Sequence, residues 1–159
     1  MKAVIGLGTN IGDRALNLKE ALGALELLPG TKVLRTSYEY ETKPYCFSQQ
    51  PDFLNMVAEV ETMLSPHALL GGCLGIEAGM GRVRAFKNGP RIIDLDFLLA
   101  ENYTSQSAEL TVPHPEICNR SFVLVPLMEL YDKGEAFGLN FLQAYEKHHK
   151  NDIKKYAVD

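Results

Sequence analysis

Tryptophan is absent from the chain and cysteine is scarce: Cys46, Cys73 and Cys118 are odd in number, fall in unrelated segments and form no C-x-x-C pair. That excludes a disulfide framework and a cysteine-rich zinc cluster, and it fits a reducing compartment. No apolar run approaches the ~20 residues of a membrane span. The opening Met1-Lys2-Ala3-Val4-Ile5-Gly6 is too short a run for a leader or anchor, so the cytoplasm is the expected location. Neither sign of charge dominates: 16 Lys and Arg against 20 Asp and Glu give a net charge of -4 and a pI near 5.6. A general nucleic-acid or membrane-surface binder would carry more widespread basic residues, so a small anion is the expected partner. The phosphate-cradling patterns G-x-x-x-x-G-K-[ST] and G-x-G-x-x-G are missing too, and any nucleotide is held without them.

What is present is concentrated in one stretch. Gly89-Pro90-Arg91-Ile92-Ile93-Asp94-Leu95-Asp96-Phe97-Leu98-Leu99 sets two acids inside an apolar strand pattern. Alternation puts Ile92, Asp94, Asp96 and Leu98 on one face and Ile93, Leu95, Phe97 and Leu99 on the other, as in a central, covered strand. An unpaired carboxylate there carries a large desolvation cost, so Asp94 and Asp96 need cations. Two carboxylates at i and i+2 suit hard, oxygen-loving Mg²⁺ completed by phosphate and water; a strand end emerging into solvent is the plain alternative. Directly upstream, Arg82, Arg84, Lys87 and Arg91 follow one another with no acid between them. Guanidinium forks beside a diacid favour phosphoryl chemistry over a merely solvated loop.

At 159 residues and 46% hydrophobic, with no break in composition, a single domain over residues 1–159 is expected. Lys2 to Leu7 reads as a buried strand. The glycine-bearing turn Gly8 to Asp13 leads into a helix with Leu18, Leu22 and Leu25 on one face, stopped by Pro29-Gly30. Thr31–Thr42 and Phe53–Thr62 alternate as two half-exposed strands expected to pair antiparallel. The long connection Lys43 to Asp52, with two prolines and two aromatics, either covers a ligand or packs on the sheet. Ser65-Pro66 starts a second helix with Leu69, Cys73, Ile76 and Met80 on one face, and Glu77 reads as a solvated residue of it. After the diacid strand, Leu110-Thr111-Val112 makes a short strand, and Pro113-His114-Pro115 holds a histidine stiffly, either as a phosphate donor or in a structural role. Arg120 opens an apolar helix reaching Leu130, and a last amphipathic stretch lies near Phe141, Leu142 and Tyr145. The order βαββαβ followed by helices predicts an α+β fold of ferredoxin-like type. It has a mostly antiparallel sheet, helices packed on it and a C-terminal helical extension.

Five motifs in order carry a resemblance: Gly8-Thr9-Asn10-Ile11-Gly12-Asp13-Arg14, Pro51-Asp52-Phe53-Leu54-Asn55, Glu77 to Arg84, Gly89 to Asp96, and Pro113-His114-Pro115 through Asn119-Arg120-Ser121-Phe122-Val123-Leu124. Over residues 1–131 the chain resembles the 6-hydroxymethyl-7,8-dihydropterin pyrophosphokinases of folate biosynthesis. The resemblance implies transfer of pyrophosphate from ATP to the pterin hydroxymethyl group, releasing AMP. It implies that Asp94 and Asp96 bind two Mg²⁺ ions bridging the triphosphate, and that Arg82 and Arg91 are catalytic on the phosphates. Arg84, His114 and Arg120 would hold the remaining phosphate oxygens, with Glu77 and Thr111 on the nucleotide side. Thr42, Tyr45, Phe53, Asn55 and Phe122 would bind the pterin. Some relatives stack a tryptophan over the pterin from the basic loop; here Phe86, or Asn88 by position, takes that place. The partners implied are these two small molecules, with no nucleic acid, no membrane and a monomeric chain. A different two-metal transferase that releases pyrophosphate, and a sensing module without turnover, remain as competing readings.

Overall fold

Alternation along the first strand organises the molecule. In β1 (Lys2–Thr9), Ala3, Ile5 and Leu7 join one buried cluster and Val4 the other, while Gly6 and Gly8 fall on the same side as Val4. The strand runs two residues past the expected end, so Gly8 is a strand residue; the turn is made by Gly12, whose φ of 74° suits glycine. The computed structural model describes residues 1–44, 49–83, 86–148 and 153–156.

Asp13 caps α1 (Arg14–Glu26) by accepting the Leu16 N–H at 3.1 Å, and Leu18, Ala21 and Leu25 are fully buried against the sheet. The single strand expected over 31–42 is two, β2 (Thr31–Thr36) and β3 (Tyr40–Thr42). Between them the Tyr38 N–H leaves the sheet to donate to the Glu129 carboxylate at 2.9 Å. A register shift between Val33 and Arg35 also turns Leu34 outward, so neither Leu34 nor Tyr38 lies on a buried face as the alternation implied. The strand β4 (Phe53–Thr62) pairs antiparallel with both, as expected, but it is not half-exposed. Its second face is covered, burying Asn55, Val57 and Glu59. Glu59 is tolerated there because Arg35 and the Tyr131 hydroxyl both donate to it.

Ser65 caps α2 (Pro66–Gly79), whose Leu69 and Cys73 enter the same cluster as α1. The diacid strand is β5 (Asp94–Ala100), and it is an edge strand rather than a central one. Its free edge is satisfied from outside the sheet: the Leu95 N–H donates to Glu77, and the Leu98 carbonyl accepts the His114 N–H at 2.8 Å. An irregularity opposite Val4 and Ile5 places Leu98 and Leu99 in one cluster, so strict alternation fails there. A small hairpin follows, β6 (Ser105–Gln106) with β7 (Thr111–Val112), then a 3-10 turn at Ile117–Asn119 and α3 (Ser121–Leu130). The C-terminal extension is helical only in part. After the hairpin β8 (Glu135–Ala136) and β9 (Leu139–Asn140) comes α4 (Leu142–Lys147), and then β10 (Ile153–Lys155) returns to pair with β3.

The main sheet runs β10-β3-β4-β1-β5, with β2 also on β4, and every pair in it is antiparallel. Residues of α1 and α2 fill one face, and Val123, Leu124 and Leu127 of α3 with Phe141 fill the other. Among the described residues no helix is long and apolar enough to cross a membrane.

Candidate active site

The register across three strands sets the site. Gly8 of β1 lies opposite Asn55 of β4 on one side and Asp94 of β5 on the other; Gly6 likewise lies between Val57 and Asp96. Asn55 and Asp94 therefore stand two strand spacings apart, about 9.5 Å, over a glycine floor. A Cβ on Gly8 would meet Asn55 Oδ1 at 2.7 Å, so the open floor requires glycine. The amide of Asn55 is buried and oriented by Thr42, whose Oγ accepts from Nδ2 at 2.7 Å. Phe53 and Phe122, both half-buried, line the same pocket from β4 and from the start of α3, and Phe122 also packs against the second cluster.

On the β5 side the charges converge. Arg82 donates from Nη1 to Glu77 at 2.6 Å and to Asp94 at 2.7 Å, and Arg91 reaches Asp94 at 3.3 Å while its guanidinium lies 5.4 Å from the Phe53 ring centre. Asp96 has a looser neighbour, Arg120 at 3.9 Å. Burial first, and the Asp94 carboxylate second, push Asp96 up to about 7. Glu77 is not a solvated helix residue: it is 5% exposed, accepts the Leu95 N–H at 2.8 Å, and is raised mainly by burial against the opposing pull of that N–H and of Arg82. It lies beneath Arg82 rather than on the pocket wall. His114 Nδ1 accepts the Glu116 N–H at 3.1 Å, which leaves Nε2 to carry the proton of the neutral ring; burial, then Arg120, lowers its pKa.

An amide-and-aromatic pocket and a polar trough thus share one wall, made by Asn88, Arg91, Asp94, Asp96 and Arg120. Of the expected residues, Thr42, Phe53, Asn55 and Phe122 meet in the pocket, and Arg82 and His114 in the trough. Thr111 is turned to the Ser107 carbonyl in its hairpin, off both walls. Tyr45 and Arg84 lie outside the described residues. Asn88, at φ 59°, lines pocket and trough, whereas Phe86 lines the trough. Among the described residues no cluster of three metal-ligating side chains occurs, so an ion held by Asp94 and Asp96 would take its other ligands from water and substrate, the pattern usual for Mg²⁺. The half-buried Asp96, weakly compensated as an anion, fits such a cation.

Sequence reasoning missed two contributors. Asn10, read as part of a turn, is 2% exposed and clasps two loops: it accepts the Arg91 N–H at 2.8 Å and donates to Gln50 at 2.8 Å and to the Pro51 carbonyl at 3.0 Å. Gln50 in turn donates to the Asn88 carbonyl at 2.9 Å. No periodicity marks these residues. The burial of Glu77 did leave a signal, since Leu69, Cys73 and Glu77 follow at i+4 steps on one helix face.

The family model described as 7,8-dihydro-6-hydroxymethylpterin-pyrophosphokinase matches residues 4–132. Over 129 residues the chain is 44% identical to the 2-amino-4-hydroxy-6-hydroxymethyldihydropteridine pyrophosphokinase of Methylorubrum extorquens, covering 81% of this chain and 82% of that one. Over 133 residues it is 41% identical to the Bacillus subtilis protein of the same name, covering 84% and 80%. Against the folic acid synthesis protein fol1 of Schizosaccharomyces pombe the identity is 44%, over 80% of this chain and 18% of that much longer one. Wild-type HPPK-DHPS of Plasmodium falciparum superposes with a TM-score of 0.70 at 18% identity, and the match covers 99% of this chain and 47% of that chain. That likeness speaks for the fold alone. Because the family model spans most of the chain and two bacterial relatives match it at 41 and 44% identity over about four-fifths of their length, the chain belongs to the 7,8-dihydro-6-hydroxymethylpterin-pyrophosphokinase family.

Proposed function

We propose that the protein transfers pyrophosphate from ATP to the hydroxymethyl oxygen of 6-hydroxymethyl-7,8-dihydropterin, yielding the pterin diphosphate and AMP. One observation carries the reading: an amide-and-aromatic pocket and a cationic trough meet at the diacid. A flat heterocycle would present its faces to Phe53 and Phe122 and its polar edge to Asn55, whose orientation Thr42 sets. The triphosphate would lie in the trough. The substrate oxygen bonds to the β-phosphorus, the bond from that phosphorus to the α,β-bridging oxygen breaks, AMP leaves with the electron pair, and the hydroxyl proton passes to solvent.

Arg82 and Arg91 stabilise charge on the bridging and leaving oxygens, while His114 and Arg120 donate to the remaining phosphate oxygens. Arg84 and Thr111 are assigned to the nucleotide side and Tyr45 to the pterin side. Glu77 acts through Arg82. Two Mg²⁺ ions held by Asp94 and Asp96 would supply charge neutralisation on the triphosphate and a lowered pKa for the pterin hydroxyl. The same reading takes residues 1–159 as one monomeric domain in the cytoplasm, with no nucleic-acid or membrane partner. The sheet order β5-β1-β4, flanked by β2 and β3, supports the ferredoxin-like core; a net charge of -4 speaks against a nucleic-acid or membrane partner, and the free thiols Cys73 and Cys118 fit a reducing compartment.

A product assay with ATP, Mg²⁺ and the reduced pterin tests it. AMP formed one-for-one with pterin diphosphate is the expected result. Pyrophosphate released instead would make the protein a nucleotidyltransferase, and ATP binding without either product would move it to a sensing role.

A further inference from the structure

The family match ends at residue 132, yet the chain beyond it returns to the pterin side of the pocket. The strand β3 is three residues long, and its inner edge is taken by β4. Alone, so short a strand would leave its outer N–H and C=O groups open and its position weakly fixed. The outer edge is closed by β10, with Ile153 opposite Thr42 and Lys155 opposite Tyr40, and the pairing is extended by the Tyr156 N–H donating to the Glu39 carbonyl at 2.8 Å. Thr42 is the residue that orients the Asn55 amide.

A second link runs through one cation. Arg14 pairs with Glu41 of β3 at 2.7 Å, donates to the Asp52 carbonyl at 3.0 Å, and lies 5.4 Å from the centre of the Tyr156 ring. Glu41 lies just before the connection 43–52, and Asp52 is its last residue. The C-terminal ring thus braces both ends of the loop that borders the pocket.

Resting on the pterin reading above, we infer that Ile153–Lys155 and Tyr156 form a positioning element for the pterin subsite, fixing β3, and through Thr42 the Asn55 amide, without touching the nucleotide side. Arg82 and His114 instead pair on the β5 side, with Glu77 and Asp94 and with the Glu116 N–H.

The test is a graded series at one position in the full chain, read as separate KM values for pterin and ATP. Tyr156→Phe keeps the ring over Arg14, Tyr156→Ala removes it, and Tyr156→Pro removes the ring and the N–H to Glu39. Losing about one net hydrogen bond's worth of ordering corresponds to roughly fivefold in affinity. Pterin KM is expected to stay near the unaltered value for Phe, rise about fivefold for Ala and rise further for Pro, with ATP KM unmoved. Cooperative thermal unfolding of each variant checks that it is folded. An unchanged pterin KM in Tyr156→Pro, or equal rises for both substrates, overturns the inference while leaving the pyrophosphokinase reading intact. Failure of the unaltered chain to make AMP from the pterin removes the reading beneath it instead.

Discussion

Asp94 and Asp96 are two residues apart and electrostatically unlike. Asp94 is held by Arg82 and Arg91, and it compensates two partly buried cations. Asp96 has Arg120 at 3.9 Å and is pushed up to about 7 by burial and then by Asp94. Removing the two acids should therefore have opposite effects on the metal-free protein, although both should abolish turnover. Asp96→Asn relieves a half-buried, weakly compensated anion and is expected to raise the melting temperature at pH 8 in chelator by about 2–4 °C, the shift that about 1 kcal/mol gives at this size. Asp94→Ala leaves two guanidinium groups without their shared anion, so its melting temperature should fall. Differential scanning calorimetry of the two variants checks the contrast; equal shifts of the same sign would contradict it. His114 gives a pH signature. Burial, then Arg120, lowers its pKa below the usual 6.5, so it takes up a proton less readily folded than unfolded. Its contribution to stability is fully present above pH 6.5 and is lost as pH falls through the lowered native value. Unfolding free energies of the parent and of His114→Gln, measured from pH 8 down to 5, should diverge above that window and converge below it.

At the scale of elements, one asparagine at the end of β1 ties together the two loops around the site. Asn10→Ala removes the hydrogen bonds to the Arg91 N–H, the Pro51 carbonyl and the Gln50 side chain. Three hydrogen bonds at a net value of about 1 kcal/mol each predict a loss of roughly 3 kcal/mol in urea unfolding. Both substrates should bind more weakly, since the clasp joins the pterin-side loop to the Arg91 side; a rise confined to one KM would count against it. The diacid, the cation run before it, both helix caps and the antiparallel pairing of β2 with β4 could be read from types and spacing alone, because each is a local matter. What could not be read depends on what lands on the second face of the sheet. Val57 and Glu59 look solvent-facing until α3 covers them, Gly8 looks like a turn residue until Asn55 leans over it, and an edge position for β5 follows from pairings distant in sequence. The break at Tyr38 is of the same kind, since its partner Glu129 is ninety-one residues away.

For the molecule as a whole, the question is whether the segment after residue 132 is an appendage or part of the folding unit. Ala136 and the fully buried Phe141 share a cluster with Val4, Val57 and Leu98, one residue from each of three sheet strands, while β10 extends the opposite edge. The cover that α3 begins on the second face of the sheet is therefore completed only when the segment is in place. Truncating a buried phenylalanine costs about 3–5 kcal/mol, a large share of the ~5–15 kcal/mol that holds a domain together. Phe141→Ala should accordingly lower the unfolding midpoint of the entire chain, not of its end. With seven tyrosines and no tryptophan, tyrosine fluorescence follows Tyr131 and Tyr145 beside the cluster while far-UV dichroism follows the sheet. In urea the two signals should shift together to a lower midpoint with an unchanged slope, because cooperative unfolding exposes the same surface in parent and variant. An early fluorescence transition in Phe141→Ala, with the dichroism of the sheet persisting, would instead make the segment a separable unit docked on a core that stands without it.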